Sequence, residues 1–170
     1  MTLKYEITNI CHPEKPNLFR IRALRVIPKF SVRAGDLGGY VEHEGNLSQE
    51  GNCWISSGAC AYSNARIYDN ALVYGNAHVC GNAHIHNYAR VFHYARVQGD
   101  ARLHSHAWLG GSVIISEAME VSGNCYITTA SQIYYVDGVT AYFDKRKTLH
   151  VSGTRKHKYH HETLARLKLS

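Results

Sequence analysis

Apolar side chains recur every six residues between Val41 and Ala130, without a slip. One column runs Cys53, Ala59, Ala65, Ala71, Ala77, Ala83, Ala89, Ala95, Ala101, Ala107, Val113, Met119 and Cys125. Two residues behind each member stands a second column: Ile55, Ala61, Ile67, Val73, Val79, Ile85, Val91, Val97, Leu103, Leu109, Ile115, Val121 and Ile127. A small–x–aliphatic triplet such as Ala77-His78-Val79 puts its first and third side chains on one face of a strand. Polar pairs such as Gly75-Asn76, Gly81-Asn82 and Gly99-Asp100 separate the triplets, and Gly and Asn accept the positive φ that a corner requires.

A six-residue period kept over thirteen hexads marks a solenoid, in which each unit buries its apolar face only against its neighbours. A strand that turns in the same sense every six residues closes after three hexads, giving a triangular coil of 18 residues. Fifteen hexads from Val41 make five coils. At about 4.8 Å per coil the prism is roughly 24 Å long. Its interior is narrow, so a large residue beside each Val or Ile would overfill it, which accounts for the Ala column.

This pattern resembles the left-handed parallel β-helix of hexapeptide-repeat proteins, where an aliphatic residue is followed four later by a small one. Val73 with Ala77, Val79 with Ala83, and Val97 with Ala101 match it. The left hand is implied by that resemblance alone, since general crossover rules favour the right. A more specific resemblance lies in Arg20-Ile21-Arg22-Ala23-Leu24, in Gly35 to Val41 and in Asn46 to Trp54. These look like the opening motifs of a bacterial and phage-borne group of hexapeptide-repeat proteins, labelled transferase-like or of unknown function. The resemblance extends over about Leu18 to Ala130 and implies a phage or prophage origin. Such relatives carry a Cys-containing strand and a small helix near the C-terminus. Here Val151-Ser152-Gly153-Thr154 has no Cys, which puts any function tied to it in doubt.

The flanks break the period. Residues 1–40 read as a β-rich cap, with strands over Leu3–Thr8 and Leu18–Ile27 around a Pro-containing loop, because an open solenoid end exposes unpaired backbone. The β-helix occupies 41–135. In 136–170, Val136 to Phe143 and Leu149 to Ser152 alternate like a hairpin, and Leu164, Leu167 and Leu169 are spaced for a short amphipathic helix.

Composition adds boundaries. With 170 residues, 45% hydrophobic, and only three prolines, the chain suits one compact domain. No apolar run of 18 residues and no charged-then-apolar leader is present, so a cytoplasmic protein without membrane contact is expected, in the host cell if phage-encoded. Cys53 and Cys125 fall on the inward column, while Cys60 and Cys80 are expected to point outward as reduced thiols. The net charge is +6, with basic residues gathered at Lys145-Arg146-Lys147 and from Arg155 through Lys156 and Lys158. A nucleic acid or nucleoprotein, an acidic protein surface, or solvent alone would each suit such a tail.

Side chains 18 residues apart should stack on the outside. One face collects Arg66, Tyr68, His84, His86, Arg102 and His104, a candidate ligand or anion face. Only Glu120 adds a carboxylate there, so neither a metal nor any other cofactor is expected. A second face collects Trp54, Leu72, Tyr74, Arg90, Phe92, Trp108 and Tyr126, whose aromatic and Arg content suits an interface. A terminal segment, a second copy of the chain (dimer or trimer) or a protein partner would cover it. The third face, with Cys60, Tyr62, His78, Cys80, Arg96, Gln98, Ile114 and Ser116, is mixed and assigns nothing.

Two functions follow as expectations. Hexapeptide-repeat acyltransferases typically extrude a loop from the coil and use a His as general base, and no loop interrupts this register. Acetyl-CoA chemistry would therefore need a cleft between subunits. The reading taken is a non-enzymatic binding or scaffold protein: a phage accessory protein that inhibits a host nucleic-acid-targeting defence complex by surface binding.

Overall fold

The computed structural model describes residues 2–136, 139–143, 145 and 149–153. Three strands open the chain: β1 (Tyr5–Cys11), β2 (Phe19–Ala23) and β3 (Leu37–Val41). β1 and β2 pair antiparallel, as do β2 and β3, and β3 then pairs parallel with Cys60–Ala61. The rest of the solenoid is built from two-residue strands on three faces. Beyond β3, the first face stacks Cys60–Ala61, His78–Val79, Arg96–Val97 and Ile114–Ile115. The second stacks Trp54–Ile55, Leu72–Val73, Arg90–Val91, Trp108–Leu109 and Tyr126–Ile127. The third stacks Arg66–Ile67, His84–Ile85, Arg102–Leu103 and Glu120–Val121. Partners lie 18 residues apart, as with Arg90 between Leu72 and Trp108, so the protein is an all-β parallel solenoid of about five turns.

The corners explain the period. Every sixth residue from 51 to 123 has positive φ, whether it is Gly, as at Gly81 (φ 67°), or not, as at Asp69 (58°), Asn87 (55°) and Glu117 (54°). One left-handed residue per hexad turns the chain through each corner and frees its N–H and C=O for the next coil. Leu72 N–H donates to the Ala89 carbonyl at 3.0 Å, and Arg90 N–H to that of Ala107 at 2.9 Å. Polar corner side chains form ladders of their own. Asn64 donates to Asn82 at 3.1 Å, and Asn82 to Asp100 at 2.8 Å.

Inside, the two apolar columns are buried from Cys53 to Ile127, and only Met119 is partly exposed, near the last coil. The first coil is closed by the N-terminal sheet. Lys4 is fully buried there, and its ammonium donates to the carbonyls of Glu50 (3.1 Å) and Cys53 (3.0 Å) and to the Cys53 Sγ (3.1 Å). Burial pulls the Lys4 pKa down and pushes the Cys53 thiol up. The Tyr5 hydroxyl donates to the Leu47 carbonyl at 2.7 Å. The last coil is covered by an antiparallel sheet of Ile133–Val136, Val139–Phe143 and Leu149–Gly153. The expected hairpin is its Val139–Phe143 and Leu149–Gly153 pair, while Val136 belongs to a separate strand. Tyr142 is buried, donating its hydroxyl to the Ser122 carbonyl at 2.8 Å. The short helix expected near Leu164 lies outside the described residues.

Candidate anion-binding face

The third face carries two outward columns, because the residues on either side of each inward aliphatic point to solvent. Arg66, His84, Arg102 and Glu120 form one by strand register. Tyr68, His86 and His104 form the other, and their rings stack: Tyr68 on His86 at 4.8 Å and 2°, His86 on His104 at 5.0 Å and 11°. Ring faces therefore cover one another along this column. Tyr68 also meets His84 edge-on at 6.0 Å.

The electrostatics are uneven. His104 Nε2 lies 2.9 Å from Glu120 Oε1, and His86 Nδ1 lies 3.9 Å from Asp69 Oδ2. Burial, then the guanidiniums of Arg102 and Arg66, lower the pKa of His84. Burial, then His104, lower that of His86. Both imidazoles are thus held neutral at pH 7, available as donor or acceptor without charge. Arg66 and Arg102 are exposed, and neither has a carboxylate within ion-pair distance among the described residues. At the N-terminal end the ledge Glu44–Gln49 rises beside Arg66, Tyr68 and His84 and shapes an open trough of about 520 Å³. Among the described residues, no three His, Cys, Asp or Glu side chains converge as metal ligands.

The second face corrects the expected stripe. Trp54 is only 2% exposed, because β3 lies over it. A Cβ at Gly38 would sit 2.7 Å from its ring, so glycine is what lets the cap approach. Phe92 is 4% exposed, packed face to face with Tyr74 at 5.4 Å and tucked against Gly110. Leu72, Tyr74, Arg90 and Trp108 are half-buried, and Tyr126 is 42% exposed. Arg90 sits over the Trp108 ring at 4.4 Å, and Lys145 reaches both Trp108 (5.2 Å) and Tyr126 (5.7 Å). Lys145 N–H also donates to the Asn124 carbonyl at 3.2 Å. The cap thus covers Trp54, and Lys145 lies over Trp108 and Tyr126, on the face that the pattern left open. Of the basic segment only Lys145 is described; Arg146, Lys147, Arg155, Lys156 and Lys158 lie outside the described residues.

The first face holds a grouping that the hexad pattern did not disclose. Cys60, expected to point outward, is fully buried where β3 pairs with its strand. Beside it the cap loop brings Lys15 against His78, Nζ to Nδ1 3.1 Å, a contact 63 residues apart in sequence. No periodicity could signal it, since the loop lies outside the repeat. Comparison of the chain with family models and with curated proteins finds no match to either. Among the described residues no helix is long and apolar enough to cross a membrane.

Proposed function

We propose that this protein is a non-enzymatic binding protein whose third face takes an anionic surface of a macromolecular partner. The observation that carries this reading is the pair Arg66 and Arg102, exposed, without ion-pair partners among the described residues, and held on one rigid column with neutral His84 between them. Two coils separate them, about 9.6 Å at the usual strand spacing. Ladder hydrogen bonds hold this spacing before any partner arrives, so little ordering is required on binding. The uninterrupted coil supports binding over acyl transfer. Its corners extrude no loop between Cys53 and Ile127, and the trough beside His84 is open rather than enclosing.

The likeness of the opening segments to phage-borne hexapeptide-repeat proteins supplies the context: an accessory protein that covers a surface of a host nucleic-acid-targeting defence complex. The test is affinity capture from host lysate with wild type and with Arg66→Glu/Arg102→Glu in parallel, followed by reconstitution with the purified partner. The partner is expected to bind wild type with a steep salt dependence and to be lost from the charge-reversed variant. Equal binding by both, or a melting-temperature rise of several degrees with millimolar acetyl-CoA, would refute the reading.

A further inference from the structure

On the first face, the loop between β1 and β2 leans over the coil and leaves a cleft of about 350 Å³. Its walls are His12, Glu14 and Lys15 from the loop, and Gly58, Asn76, His78, Tyr94 and Arg96 from the coil. The loop is a fixed wall. His12 N–H donates to the Leu18 carbonyl at 2.8 Å, Leu18 N–H to that of Lys15 at 2.9 Å, and the His12 ring meets Tyr40 edge-on at 4.7 Å.

Hydrogen bonding sets the chemistry inside. An ammonium cannot accept, so His78 Nδ1 accepts from Lys15 and the imidazole proton sits on Nε2. His12 is held in the same tautomer, because its Nδ1 accepts from Glu14 N–H at 3.1 Å. Lys15 spends one N–H on His78 and rests 4.9 Å from the Tyr62 ring. Arg96 is exposed on the strand beside His78 and makes no ion pair among the described residues. The Glu14 carboxylate on the rim is likewise without an ion pair there. Two cations and two imidazole N–H donors thus line the cleft, with Glu14 the acidic group in its lining. Burial, then the charges of Lys15 and Arg96, drive the His78 pKa down to about 4, so the ring is neutral and donates from Nε2. Tyr94, 64% exposed, adds a ring at the margin.

We propose that this cleft is a binding site for a small phosphate monoester, with Lys15 and Arg96 pairing the phosphate oxygens and His78 donating from Nε2. A dianionic phosphate is the ligand that uses all of these donors and needs none of them as acceptors. The site is independent of the third face, and a ligand here leaves Arg66 and Arg102 free.

Calorimetric titrations with inorganic phosphate, AMP and adenosine test it, with the His78 ring resonance followed by NMR from pH 4 to 7. Phosphate and AMP should bind once per chain and raise the His78 pKa, and adenosine should not. Lys15→Gln/Arg96→Gln should weaken both at least about tenfold, as loss of charge-assisted bonds does. Arg66→Gln/Arg102→Gln should leave them unchanged. The NMR readout on wild type stands even if a variant is unstable. The proposal is overturned if neither phosphate nor AMP binds with a Kd below about 10 mM, if adenosine binds as well as AMP, or if the shifts fall on His84 and His86 instead of His78.

Discussion

Replacing Val97 by Asp tests the register most severely. Val97 is fully buried, aligned with Val79 in the coil before and Ile115 in the coil after. Losing the valine's apolar burial costs about 1.5 kcal/mol. The carboxyl that replaces it would lie among Ala and aliphatic side chains with no donor, so it stays protonated in the folded state. Keeping it neutral at pH 7, about 3 units above an ordinary Asp pKa, costs about 4 kcal/mol at 1.36 kcal/mol per unit. The total of about 6 kcal/mol rivals the whole stability of an ordinary domain. Its pH dependence distinguishes this cause from simple damage. A carboxyl whose folded pKa is raised loses stability as pH rises from its unfolded value toward the folded one. Val97→Asp should therefore match Val97→Asn near pH 4 and fall behind it by about 1.4 kcal/mol for each unit above that. Urea unfolding followed by circular dichroism at pH 4.5, 5.5 and 7.0 measures the difference, with Arg96→Asp as the outward control, expected to lose under about 1 kcal/mol. A flat pH profile, or equal losses for Val97→Asp and Arg96→Asp, would refute the reasoning.

Further outcomes can be checked by similar means. Glu117 holds a left-handed corner (φ 54°) with its side chain exposed, so Glu117→Gly should raise stability by about 0.5–1 kcal/mol, read as a higher melting temperature. Gly110→Ala would put a Cβ 2.3 Å from the Phe92 ring, costing about 1–3 kcal/mol and increasing exposure of Phe92 to solvent, as seen by NMR. His78 has a folded pKa of about 4 against 6.5 when free, so stability is present above 6.5 and lost as pH falls toward 4. For a partly exposed ring the loss should be about 1–2 kcal/mol, absent from His78→Gln in urea titrations at pH 4.5 and 7.5. Lys4→Ala leaves the carbonyls of Glu50 and Cys53 without their buried donor, lowering stability by about 1–3 kcal/mol in the same assay.

The solenoid was legible because its cause is local. Six residues suffice to specify one strand, one left-handed corner and two inward side chains, and repetition makes the 18-residue register unavoidable. The stack of Arg66, His84 and Arg102, and that of Tyr68, His86 and His104, followed from the same arithmetic. What covers those faces was decided elsewhere. Trp54 and Phe92 read as outward positions, yet one is buried under β3 beside Gly38 and the other against Gly110, where a missing Cβ allows close approach. Lys15 reaches His78, and Lys4 seals the first coil beneath Cys53, through a cap that carries no period. Repeats encode position through spacing along the chain. Docking of a cap depends on shape and charge between segments far apart in sequence, and only the tertiary structure brings those together.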